Sequence, residues 1–145
     1  MRTITVREAT PDDATDLARM LDLFDGIGAT PEQVAARMRA CQSVLTTYLG
    51  EIDGQPVGFA CLRLVPHLQG DEPYAELTDI YVDAPWRRHG VARALIARVE
   101  AVARAAGASD VVIITDFANE GARAAYRAVG YADWALAMRR PSPDD

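Results

Sequence analysis

The sequence predicts an α/β protein in which one mixed sheet carries helices on both faces, with elements in the order β-αα-βββ-α-β-α-β. Three features lead there. Segments with apolar residues at every second position are interleaved with segments whose apolar residues fall three or four apart. Two Thr-Pro pairs, at 10–11 and 30–31, each precede a helix-periodic run, as an N-cap and first helical residue should. Asp53-Gly54 separates two strand-like runs, a strong hairpin signal.

The first element, "TITVRE", alternates as a short strand. Thr10 and Pro11 then open a helix whose apolar face is Leu17, Met20, Leu21 and Phe24. After a flexible "DGIG", Thr30, Pro31 and Gln33 form a capping box for a second helix running to about Cys41. "VLTTYLGEI" and "PVGFACLRLV" make the hairpin, and "YAELTDIYV" follows the polar loop "PHLQGDEP" as the third strand of the run. The stretch "WRRHGVARALI" begins a helix with Val91, Leu95, Val99, Val102 and Ala106 on one face and Gly107 as its stop. "DVVIIT" is nearly all apolar, which predicts a strand buried on both faces. Asn119 caps a further helix with Ala122, Ala125, Tyr126 and Val129 inward, closed by Gly130. "YADWALAM" reads as a final strand, and 139–145 as a polar tail expected to fray. No repeat, low-complexity tract or linker breaks the chain, so residues 1–145 are expected to form a single domain.

The bulk composition narrows the function classes. Half of the 145 residues are hydrophobic and a quarter charged, the balance of a soluble globular protein. No apolar run approaches the ~20 residues of a membrane span, and "MRTITVREAT" has no signal-peptide core, so a cytoplasmic protein with no membrane partner is expected. Fifteen basic residues, all arginine, against twenty-one acidic ones give a net charge of −6, which argues against a nucleic-acid partner. Cys41 and Cys61 form no CxxC, and His67 and His89 stand far apart, so no metal site is expected.

Arg87, Arg88, His89 and Arg93 crowd a helix start, where the backbone dipole disfavours cations. A bound anion resolves the conflict: uncapped N–H groups reached through Gly90 hold it, Ala92 keeps the approach open, and the arginines supply countercharge. The bland alternative is a solvated arginine cluster, which costs little. Neither GxxxxGK[ST] nor GxGxxG after the first strand is present, so the two commonest phosphate loops do not apply.

Arg87-x-x-Gly90-x-Ala92 resembles the [QR]-x-x-G-x-[GA] signature of the GNAT superfamily of acyl-CoA-dependent N-acetyltransferases. It follows a strand ending "IYV", opens an amphipathic helix and precedes an apolar strand. "NEGARAAYRAVGY" is similar to the superfamily's N-x₆-Y-x₃-G-[FY] element, and the order of elements matches from Thr3 to about Met138. The resemblance implies a GNAT fold, with two parallel strands splayed to form a coenzyme A slot, and acetyl-CoA as co-substrate. It implies that the diphosphate lies on the backbone of Arg88, His89, Gly90, Val91, Ala92 and Arg93, with Arg87 opening the loop. The pantetheine arm would pair with Ile80, Tyr81 and Val82 like an added strand, and Asn119 would touch it at the mouth of the slot. "AELTDIYV" and "DVVIITD" would wall that slot.

Tyr126 matches the tyrosine that protonates the departing thiolate; its helical spacing alone favours a core residue, and the matched motif reverses that preference. The attacking amine must lose a proton, and Glu76, 14 positions before Gly90, matches a glutamate base of several family members. In an unbroken strand Asp79 points away from Glu76; a bulge, frequent in the superfamily, would change that and keeps Asp79 in reserve, with water as a third route. The oxyanion is expected on a backbone N–H near Ile80. A ping-pong route through Cys41 or Cys61 lacks an adjacent base, and both read as packing residues.

On the acceptor side, Asp22, Asp25, Asp71, Glu72 and Glu76 favour a cationic amine. Phe24, Asp25, Tyr74 and Asp79 are candidate acceptor contacts, and Trp134 adds a possible apolar wall. The expected function is acetyl transfer to a primary amine of a small cationic molecule in a ternary complex. Acetylation of a protein N-terminus or lysine is the alternative within the enzyme class, a silent acyl-CoA-binding module the alternative outside it, and a tRNA-directed toxin is disfavoured by the charge. Many relatives pair through their C-terminal strands, so a homodimer is a further expectation.

Overall fold

The computed structural model describes residues 2–143, and they divide into two compact units, one up to Ile113 and one from Ile114. The first holds β1 (Ile4–Glu8), α1 (Ala14–Asp25), α2 (Pro31–Cys41), β2 (Leu45–Ile52), β3 (Gln55–Val65), β4 (Tyr74–Val82), α3 (Val91–Ala105) and β5 (Val111–Ile113). The second holds α4 (Glu120–Ala128). Short 3-10 turns at Pro11–Asp13 and Ala84–Trp86 lead towards α1 and α3.

Local chemistry sets these boundaries. Thr10 accepts from the Asp12 N–H at 3.3 Å, and Asp13 returns the bond to the Thr10 N–H at 2.9 Å. Thr30 and Gln33 make the same reciprocal pair, at 3.1 and 3.0 Å. Asp53 and Gly54 both have positive φ, +50° and +82°, the geometry of a two-residue hairpin turn that matches strand twist. The turn joins Ile52 to its register partner Gln55.

The sheet runs β1-β2-β3-β4-β5, antiparallel through β4 and parallel between β4 and β5. Leu49, Phe59 and Cys61 face α1 and α2, where they join Leu17, Met20 and Val34 in one core. The opposite face carries Gly50 and Gly58, and α3 packs there through Val91 and Leu95. Glycines are needed on that face, because a Cβ on Gly50 would lie 2.7 Å from Val91 Cγ1. Arg19 of α1 donates to both carboxylate oxygens of buried Asp83, at 3.1 and 3.0 Å, which ties the helix to the end of β4.

Two irregularities shape β4. Its register with β3 slips between Cys61 and Leu62, so that Asp79 pairs with Cys61 and Leu77 with Leu62, leaving Thr78 as the extra residue of a bulge. Its pairing with β5 runs only from Ala75 to Leu77. Beyond Leu77, among the described residues, the β5-side edge of β4 has no ladder partner, which is the start of the expected splay.

In the second unit Asn119 Oδ1 accepts from the Ala122 N–H at 3.1 Å and caps α4. Tyr126 and Tyr131 meet edge to face at 6.5 Å, and Arg127 pairs with Asp133 at 2.9 Å. Ala125, expected inward, is exposed.

Three further expectations fail. Residues 131–138 form no strand: Trp134, Leu136 and Met138 alternate as a strand should, yet are 76%, 72% and 88% exposed. Alternation describes a face to be buried, but a strand exists only against a partner edge. β5 is half-buried rather than enclosed on both faces: all three of its residues keep intermediate exposure. Ala106 is exposed, since α3 ends one residue earlier. Residues 139–143 are exposed and irregular as expected; 144 and 145, the end of the anticipated tail, lie outside the described residues.

Candidate active site

The loop from Val82 to Val91 is built to present main-chain N–H groups. Arg88 and Gly90 both hold left-handed backbone, at φ +64° and +94°, on either side of His89. For a non-glycine residue that conformation costs about 1 kcal/mol, and such strain clusters where backbone groups must converge on a ligand. Gly90 is the N-cap of α3 and offers no side-chain cap, and the first turn, which includes Ala92 and Arg93, holds no acid. The free N–H groups, the left-handed pair and the arginines together fit a diphosphate.

The loop is also braced. Arg87 Nε donates to the Val82 carbonyl at 2.9 Å, and its guanidinium lies over the Tyr81 ring at 5.7 Å. His89 Nδ1 bonds the Arg87 carbonyl at 2.8 Å, and its ring meets Trp86 edge-on. Arg2 covers Trp86 at 4.7 Å. Two of the expected phosphate residues, Arg87 and His89, therefore also hold the loop's shape.

The bulge at Thr78 decides which side chains of β4 share a face. Cross-strand partners point the same way, and Arg63, Cys61 and Phe59 lie at every second position of β3. Their partners Glu76, Asp79 and Tyr81 therefore line one face, the one towards α1. Ile80, paired with Ala60, looks to the other side, while Tyr74 starts the strand on the Glu76 side. Phe24, near the end of α1, touches the rings of Phe59 and Tyr81 at 5.9 and 6.0 Å, and Asp25 follows it. Thus the structure gathers Phe24, Asp25, Glu76, Asp79 and Tyr81.

The two carboxylates differ in their surroundings. Glu76 receives a 2.6 Å bond from Arg63, which fixes its orientation. Asp79 is half-buried, and burial pushes its carboxyl above the usual range; a bond from Thr78 opposes this, and the charges of Asp25 and Glu76 add to it. Burial also raises the Cys61 thiol to about 11, with Thr47 Oγ1 3.5 Å away, so it carries no thiolate at neutral pH to act as a nucleophile. Tyr126 is likewise raised by burial and stays a proton donor at neutral pH. The side chain of Asn119 is engaged in capping α4.

Arg63 and Arg19 escaped the sequence reading. A cation opposite Glu76 becomes visible only once the β3–β4 register is known, and the bulge sets that register.

The family model described as acetyltransferase (GNAT) family matches residues 15–131. An aminoglycoside N(6')-acetyltransferase type 1 from Stenotrophomonas maltophilia is 32% identical over 133 residues, spanning 89% of this chain and 86% of that one. Among solved structures, aminoglycoside N-acetyltransferase AAC(6')-Iy in complex with CoA has a TM-score of 0.84 at 18% identity, over 99% of this chain and 97% of that one. The aminoglycoside acetyltransferase meta-AAC0020, from an uncultured soil metagenomic sample and bound to sisomicin, has a TM-score of 0.81 at 16% identity, over 96% and 95%. At those identities the two structures speak for the fold alone. The family match covers most of the chain and includes both motifs that sequence inspection singled out; the chain belongs to the GNAT family of acetyl-CoA-dependent N-acetyltransferases.

Proposed function

We propose that the whole chain, acting as one catalytic domain, moves the acetyl group of acetyl-CoA to a primary amine of a small cationic molecule, by direct attack with both substrates bound. The observation that carries this reading is the bulge at Thr78, which sets Glu76 and Asp79 on one face of β4 with Asp25 near enough to raise the proton affinity of Asp79. Several carboxylates around an aromatic-walled spot favour a cation. The 32%-identical relative is named for acetylating aminoglycosides, which agrees with a cationic acceptor.

The residues divide the work as follows. Main-chain N–H groups from Arg88 to Arg93, with the Arg87 and Arg88 charges, hold the diphosphate of the donor. The strand edge at Ile80, Tyr81 and Val82 aligns its arm, and the family resemblance assigns Asn119 as a further contact of that arm. Phe24, Tyr74 and Asp25 receive the acceptor, and Glu76, fixed by Arg63, adds attraction for its ammonium group. Asp79 first takes a proton from the ammonium and passes it to solvent. The neutral amine then attacks, Asp79 takes the second nitrogen proton as the C–N bond forms, and a backbone N–H near Ile80 receives the developing oxyanion. Tyr126 gives its phenolic proton to sulfur as the C–S bond breaks. The amide and the free thiol leave, and the proton on Asp79 passes through solvent to restore Tyr126. The sequence ranks Glu76 ahead of Asp79 as base; we reverse that order because the Arg63 bond occupies a Glu76 oxygen, while burial holds the Asp79 carboxyl above the ordinary carboxylate range.

A panel of primary amines scored by thiol release from acetyl-CoA tests this function. Release with at least one cationic amine is expected. Saturable acetyl-CoA binding without release for any amine would leave an acyl-CoA-binding module instead. Tyr126→Phe is expected to lower kcat roughly 10- to 100-fold while the dissociation constant for acetyl-CoA stays within twofold; unchanged turnover would return Tyr126 to a packing role.

Among the described residues no helix is long and apolar enough to cross a membrane, and Cys41 and Cys61 are free thiols. Both fit the cytoplasmic location we assign. We also propose a homodimer. Among the described residues the alternating exposed side chains Trp134, Leu136 and Met138 have no partner edge, and a second copy would supply one. Sedimentation is expected to give twice the chain mass, falling to a single chain in a Trp134→Asp, Leu136→Asp double variant.

A further inference from the structure

Between α1, α2 and the sheet lies a cavity of about 350 Å³. Its walls are Leu17, Leu21, Val34, Met38, Leu45 and Phe59, and its mouth is polar, with Glu8, Arg37 and Gln42 exposed there. Asp79 and Cys61 also line it. The same carboxylate that faces Glu76 across the bulge therefore opens onto an apolar chamber.

We propose that this chamber is the binding site for an apolar arm of the acceptor, so that the preferred substrate is an alkyl or aryl primary amine with its nitrogen at Asp79. The proposal rests on the acetyltransferase function above and names the chemistry of its acceptor. Three observations carry it. A void in a core lowers stability in proportion to its volume, and α2 turns Met38 and Ala35, both half-buried, towards a core in which Val34 is its one fully buried residue. The size is right: a cavity of roughly 150 Å³ already holds a benzene ring, so about 350 Å³ admits an aryl group with its linker. The charge is right too, because the Cys61 thiol is neutral at physiological pH and Asp79 supplies the anion among those lining residues nearest the reacting strand. An aminoglycoside, covered in hydroxyls and ammonium groups, would gain nothing from Leu, Val and Met walls and would use only the acidic rim at Asp25 and Glu76.

The test is a series of primary amines from ethylamine to hexylamine, with phenylethylamine and an aminoglycoside, assayed by thiol release with the full chain. The expected result is a rise in kcat/KM of about fourfold per added methylene until the chamber is full. Met38→Trp, which fills the chamber, should erase that rise and leave ethylamine and the aminoglycoside within twofold of wild type; Leu45→Phe serves as a second filling variant should Met38→Trp fail to fold. A flat or falling chain-length profile, or equal losses for every amine in the filled variants, overturns the chamber while leaving the acetyltransferase function standing. No turnover of any amine, with acetyl-CoA bound, overturns both.

Discussion

Asp79→Asn is expected to lower kcat about 100-fold, the usual effect of losing a positioned base, with acetyl-CoA affinity unchanged. The variant keeps the size and polarity of the side chain and removes only its ability to take a proton. Burial, then the Asp25 and Glu76 charges, hold this carboxyl above the ordinary carboxylate range. A folded-state value above the unfolded one means that the fold favours the protonated acid. That stabilisation is complete below the unfolded value and is lost as pH rises through the folded one. At neutral pH the ionised carboxylate therefore works against folding, and an asparagine that never ionises should give a Tm at pH 7 no lower than wild type. Glu76→Gln makes the comparison sharp. Removing a neighbouring negative charge lowers the Asp79 value, so the acidic limb of kcat/KM should move to lower pH with a loss well short of 100-fold. If Glu76→Gln instead matched Asp79→Asn in kcat, the base would be Glu76.

Gly58→Val is the second large effect, expected to cost about 3 kcal/mol. A Cβ at this position would stand 2.8 Å from the Tyr81 carbonyl oxygen, 3.2 Å from Val82 Cγ2 and 3.3 Å from Val91 Cγ1. The first neighbour is backbone, so β4 itself must move, and the segment displaced is the one proposed to align the donor. Urea unfolding should show a lower midpoint with an unchanged slope, and acetyl-CoA affinity should fall with it. Gly70→Ala is the control, since a Cβ there meets nothing within 4 Å. A Gly58→Val protein as stable as wild type would show that β3 and β4 yield far more easily than their packing implies.

Local signals were legible wherever one short stretch decides the outcome. The Thr10 and Thr30 caps, the Asp53-Gly54 turn and the bounds of β4 could all be read from side-chain chemistry within a few residues. Non-local features were not. Periodicity assigned Asp79 to the far face, and a single extra residue at Thr78 reversed it, because strand register belongs to a pair of strands rather than to either alone. The failed strand at 131–138 has the same root: its pattern is correct for pairing, but a pattern cannot supply the second edge. The chamber beneath α2 was equally hidden, since Val34, Met38 and Leu45 read as ordinary core and only their packing leaves space between them.

The Arg87 bond to the Val82 carbonyl fastens the phosphate loop to the end of β4. In the donor site proposed above, loop and strand act as a fixed gauge: one end grips the donor's charged handle and the other marks where its thioester must stop. A donor with a shorter arm would be gripped correctly and still halt its carbonyl before reaching Asp79. Choice among carriers with arms of different length would thus follow from a rigid scale, with no pocket needed to recognise the arm itself.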